Sequence, residues 1–154
     1  MFKELLFVFL ITLIPAFELR GSIPYGITIA NLNWFLVFVT ALISNILLGI
    51  IIYFLLDLFV HRFLLRIPVV GPWYHKYVER TQRKLYKSVE RVGFWGIVLF
   101  VGVPLPGTGS YSGALGAYIL GLGYKRFILA NAIGVLIAGI LVTLGTLGIV
   151  NLFF

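Results

Sequence analysis

Charge-free stretches decide what this chain can be. Leu5–Phe17, Gly21–Leu56, Val92–Tyr124 and Phe127–Phe154 hold no Asp, Glu, Lys or Arg, with lengths of 13, 36, 33 and 28 residues. A helix crossing the hydrocarbon of a bilayer needs about 20 apolar residues. A soluble domain carries about 25% charged residues. This chain carries 11%, and 61% of it is hydrophobic. A soluble globular fold and a disordered chain are both excluded on that balance. The chain reads as an all-α integral membrane protein, one transmembrane domain over residues 1–154.

The longer runs do not fit single helices. As one helix, 92–124 would measure about 50 Å against about 30 Å of hydrocarbon. Near its middle lies Pro104-Leu105-Pro106-Gly107-Thr108-Gly109. Two prolines and two glycines so close break a helix. Each flank is about half a membrane thick, so the segment reads as a re-entrant hairpin. Residues 127–152 then make one full span. The first half repeats the plan. Residues 5–17 are too short to span, Glu18–Pro24 is a second expected break, 26–31 return, and 34–56 span. Gly21 precedes Asn45 by 24 residues, and Gly107 precedes Asn131 by 24. The expectation is two inverted repeats, each a re-entrant helical hairpin plus a transmembrane helix. They cover residues 1–60 and 93–154, with a basic linker at 61–92. Four ordinary spans form the competing arrangement. The N-terminal run reads as a retained membrane segment, because Glu4 lies in what would be the basic region of a signal peptide and no cleavage site precedes Glu18.

Charge sets the orientation. Eight of the twelve basic residues lie between His61 and Arg91. The positive-inside rule places that linker in the cytoplasm of a multi-pass protein of the plasma or inner membrane. Residues 72–92 read as an amphipathic interfacial helix that meets anionic headgroups of membrane lipids. No soluble recognition domain accompanies the charge, so nucleic acid is not an expected partner. Asp57 and His61, four residues apart, read as an interfacial pair.

Cysteine is absent, which excludes disulfides and thiolate chemistry. No metal-ligand spacing, cofactor motif or catalytic constellation occurs, so no enzyme is expected. The remaining chemistry is at the breaks. Glu18 and Arg20 are the only charges placed deep in the membrane, where such residues mark functional sites. Half-helices beginning near Ser22 and Ser110 would point free N–H groups at the midplane. Arg20 with its planar fork could grip an anion there. Gly21, Gly107 and Gly109 permit close approach, and Ser22, Thr108 and Ser110 add hydroxyls. Pro104 and Pro106 shape the second break. Desolvation favours a protonated Glu18 carboxyl and Arg20 an ionised one. A substrate that draws Arg20 away would thus let Glu18 take a proton. Asn45 and Asn131, one in each span, are candidates for lining the pathway. Two spans and two hairpins are few walls, so a homo-oligomer, most simply a dimer, is expected.

At the two breaks the sequence resembles a known family. Phe17-Glu18-Leu19-Arg20-Gly21-Ser22-Ile23-Pro24 resembles its ELRG-x-IP signature. Val103-Pro104-Leu105-Pro106-Gly107-Thr108-Gly109-Ser110-Tyr111 resembles its PLP-x-TG partner. The family is that of the small multidrug export proteins, grouped with the DedA superfamily. The resemblance implies two re-entrant hairpins, membrane transport and dependence on the proton-motive force. DedA relatives are implicated in moving lipid carriers such as polyprenyl phosphates. The acidic and basic hairpin residues of those relatives correspond to Glu18 and Arg20. The second break departs from the DedA pattern in having no charge. The expected function is a proton-coupled transporter or flippase for an amphiphilic substrate with an anionic head. The alternatives are an exporter of cationic or lipophilic compounds, with Glu18 as counter-charge, and a membrane organiser that transports nothing.

Overall fold

The computed structural model describes residues 2–62, 92–105 and 107–153. Every regular element among them is helical. In chain order these are α1 (Phe2–Thr12), α2 (Glu18–Pro24), α3 (Trp34–Arg62), α4 (Val92–Gly102), α5 (Ser110–Ile119) and α6 (Tyr124–Phe153). Most of the basic linker with its interfacial helix, the His61 side chain and Pro106 lie outside the described residues.

Among the described residues, two helices are long and apolar enough to cross a membrane. Trp34–Val60 has a mean hydropathy of 2.7 and Tyr124–Leu152 of 2.5. Only 33% and 44% of their most apolar windows are buried within the protein. A soluble protein would bury such surface in its core, whereas a bilayer solvates it. The other four helices are about half the hydrocarbon thickness or less.

The order short, short, long occurs twice, and the packing crosses between the halves. α2 packs against α6, and α5 against α3. Each long helix also receives the first short helix of its own half. On α3, Ser44 Oγ donates to the Phe9 carbonyl of α1 at 2.9 Å. On α6, Gly134 lies so close to α4 that a Cβ there would sit 2.7 Å from Val101 and 2.9 Å from the Val98 carbonyl. Between the long helices, Phe38 lies against Gly139 and Gly49 against Asn131. Tyr53 stacks on Phe127, with ring centroids 4.9 Å apart. Ascending positions on α3 thus meet descending ones on α6, so the two run antiparallel.

The first break differs from the sequence expectation. α1 ends at Thr12, and the chain turns over Leu13–Phe17. Glu18–Pro24, expected to be the break, is helix. Pro15 stands in the turn, where its missing N–H costs nothing. Pro24 stands at the end of α2, and the chain beyond it widens into a π-turn, Tyr25–Ile29. The Ala30 N–H there reaches the Tyr25 carbonyl at 3.0 Å. The second break falls where expected. The described residues of this break, 103–105 and 107–109, are irregular, and α5 starts at Ser110.

Candidate functional site

The two breaks meet. Glu18 opens α2 with φ of +46°, a left-handed conformation uncommon for a residue with a side chain. The residue is 4% exposed, and its carboxylate lies across the start of α5. Oε2 accepts the Ser110 N–H at 3.3 Å, and Oε1 accepts the Tyr111 N–H at 3.1 Å. These are two of the N–H groups that a helix leaves unpaired at its start, where the helix dipole favours negative charge. The Asn45 side chain lies beside the same carboxylate, from α3.

Gly109 makes this contact possible. Its φ is +141°, and a Cβ there would overlap Glu18 Oε2 and come within 2.7 Å of Cδ. Gly107, with φ of +81°, supplies the other turn that side chains resist.

Arg20 reaches the opposite polarity of the same loop. Nη1 donates to the Leu105 carbonyl at 2.5 Å and also to the Thr108 carbonyl. Nη2 donates to Thr108 Oγ1 at 2.7 Å and more weakly to the Val103 carbonyl at 3.4 Å. A planar fork with five N–H donors can serve several carbonyls at once, which an ammonium does less well. Thr108 Oγ1 lies 2.8 Å from the Val103 carbonyl and 2.9 Å from that of Leu105, which ties the loop on itself. Ser112 Oγ donates to the Gly107 carbonyl at 2.8 Å. A cavity of about 230 Å³ opens beside both charges, lined also by Pro15, Thr108, Tyr111 and Ser112.

Several candidate residues are engaged differently from expectation. Ser22 lies inside α2 and accepts a hydrogen bond from Thr12 Oγ1 at 2.6 Å, which locks α1 to α2. At the meeting point α5 presents its N-terminus, and the Glu18 carboxylate occupies it. Gly21 gives room to the Phe17 ring, which a Cβ would approach to 2.7 Å. Pro104 is exposed in the loop. Ser110 is fully buried, and its hydroxyl has no protein partner. Asn45 is beside Glu18, while Asn131 is further along the α3–α6 contact against Gly49. The backbone partners of Arg20 and the role of Gly49 were not singled out from the sequence. Gly49, one turn after Asn45, was the legible signal of the pair.

No group of three or more His, Asp or Glu among the described residues could hold a metal ion. A comparison with family models finds one described as "Putative small multi-drug export protein", matching residues 18–141. The match is to that family and does not extend to the DedA grouping. Comparisons with curated proteins and with solved structures give no match.

Proposed function

The chain belongs to the small multi-drug export protein family, and from that premise we propose that it carries an amphiphile with an anionic head across the membrane, coupled to a proton. The observation that carries the reading is the Glu18 carboxylate seated on the Ser110 and Tyr111 amides beside the cavity. Glu18 stands where a substrate anion would bind. A phosphate or carboxylate entering from the cavity competes for those amides and for Arg20, whose fork suits both anions. A carboxylate displaced into an apolar surround is stabilised by taking a proton. Substrate and proton then enter together, and the return of Glu18 to α5 expels both. The protein moves its substrate without altering it.

In this reading each short helix pair is a re-entrant hairpin, and the halves are inverted repeats. The crossed packing of α2 on α6 and α5 on α3, and the equal Gly–Asn spacings, support it. The linker then faces the cytoplasm, and a second copy completes the walls of the pathway.

Reconstitution in liposomes tests the proposal. Transbilayer movement of a fluorescent phosphatidylglycerol is compared with that of a fluorescent cationic amphiphile, with and without a proton gradient. Wild-type protein should move the anionic probe, and Arg20→Ala should reduce that movement at least about tenfold, the effect of 1.4 kcal/mol. Glu18→Gln should retain probe binding and lose the response to the gradient. Movement of the cationic probe alone, or an Arg20→Ala protein as fast as wild type, overturns the anionic assignment. An intact gradient response in Glu18→Gln overturns the coupling.

A further inference from the structure

Beyond Glu18, the α3–α6 contact holds polar atoms without protein partners. Asn131 is 0% exposed, and neither its Oδ1 nor its Nδ2 has a hydrogen bond. Asn45 is 1% exposed, and its Oδ1 is equally unpartnered. The Ser110 hydroxyl, 0% exposed at the Glu18 end, is a third such group. Buried polar groups are nearly always satisfied, by protein or by ordered water. These groups lie along one line. Asn45, Gly49 and Tyr53 recur every four residues on α3 and so share a face. Asn131 lies on Gly49, where a Cβ would sit 2.9 Å from its Cγ and overlap its Nδ2. Tyr53 stacks on Phe127 and donates its hydroxyl to the Leu122 carbonyl at 2.7 Å, which closes the line toward the turn between α5 and α6.

The chemistry of the unpartnered atoms selects the ligand. Asn131 offers a donor and an acceptor together, Asn45 an acceptor, and Ser110 a hydroxyl that can act as either. A metal cation would satisfy only the oxygens, and an anion only the donors. Water satisfies both. We infer that the seam between α3 and α6 binds buried water along Asn131 and Asn45, and that this water reaches the Glu18 carboxylate beside the Asn45 amide. Gly49 gives the Asn131 amide its place in the seam, and Tyr53 seals the end. On the proton-coupled reading of Glu18, this is the route by which its proton arrives. A water O–H bond breaks as the carboxyl O–H forms, and the water regains a proton from the next water, ultimately from the aqueous phase.

Water-edited solid-state NMR on the full chain tests this, with asparagine side chains labelled and the protein in phosphatidylethanolamine–phosphatidylglycerol vesicles. Asn33 is exposed and supplies the wet reference. Transfer from water to the buried Asn45 and Asn131 amides should be within about threefold of Asn33, as expected for bound water at hydrogen-bond distance. Asn131→Leu and Gly49→Ala should each slow transfer to Asn45 by about fivefold or more. Transfer to both buried amides slower than to Asn33 by about tenfold or more means a dry seam, and overturns the inference. The wild-type measurement needs no variant to fold. A wet seam with an intact gradient response in Glu18→Gln overturns the coupling instead and leaves the water site standing.

Discussion

The two helix breaks invite comparison because their sequences look unequal and their structures fit together. The first is followed directly, at the start of α2, by a carboxylate and a guanidinium two residues apart. The second carries no charge but turns its own backbone toward them. Its amide end, at Ser110 and Tyr111, takes Glu18, and its carbonyl-rich loop, at Val103, Leu105 and Thr108, takes Arg20. The lack of charge in the second break is thus a form of complementarity. Each charge is matched to a backbone polarity, and the two charges act on the second break more than on each other. A buried charge needs such partners, since unpaired it costs several kcal/mol.

The most direct way to break this comparison is to exchange the charges. If Glu18 and Arg20 served mainly to pair with each other, Glu18→Arg combined with Arg20→Glu would restore the interaction. If each is matched to the backbone it faces, the exchange places a cation at a helix N-terminus and a carboxylate among carbonyls. The double variant should then lose about 5 kcal/mol or more, at least as much as either single change. Thermal unfolding in detergent micelles, followed by circular dichroism, measures it. A double variant more stable than both singles would show that the charges form a self-contained pair.

Gly109→Ala tests the socket without touching the plug. The substitution forces a side chain into a φ of +141° and drives its Cβ into the Glu18 carboxylate. Strain of that kind costs about 1–3 kcal/mol, to which the lost amide contacts of Glu18 add. Gly116→Ala is the control on the same α5 helix. There the new Cβ would meet Ile97 Cδ1 at 3.6 Å, an ordinary contact. Helix propensity then makes the control neutral or stabilising by up to about 1 kcal/mol. Equal melting temperatures for the two variants would remove the special role of Gly109.

The same contrast explains what the sequence made legible. Long helices and the second break follow from local rules, because α3 and α6 are uninterrupted apolar runs and Pro104 with Gly107 and Gly109 cannot continue α4. The first break was displaced by several residues because two prolines flank Glu18–Arg20 and local rules weigh them alike. The structure breaks at Pro15 and keeps Pro24 at the end of α2, just before the π-turn. Glu18 and Arg20 were legible as charges in an apolar chain. Their partners were not, since these are main-chain groups of a segment more than 80 residues away, and main-chain groups leave no trace in residue identity. Ser22 was misplaced for a related reason. A hydroxyl beside a break resembles a ligand donor until Thr12 is seen to use it.

Ser112→Ala is the mildest test and separates the shape of the socket from its chemistry. Ser112 touches neither charge directly. Its hydroxyl donates to the Gly107 carbonyl and so restrains the loop that presents its other carbonyls to Arg20. Loss of one neutral hydrogen bond in a part-exposed position costs about 0.5–1.5 kcal/mol. Thr108 still ties the loop through its own hydroxyl, so the fall should lie at the low end of that range. Loop positions loosened in this way widen the range of geometries open to Arg20 without removing any acceptor. Binding of an anionic probe should therefore change less than about threefold, well below the loss expected for Arg20→Ala. A loss as large as that of Arg20→Ala would mean that loop shape, more than the guanidinium, selects the anion, and would move the centre of the site from the first break to the second.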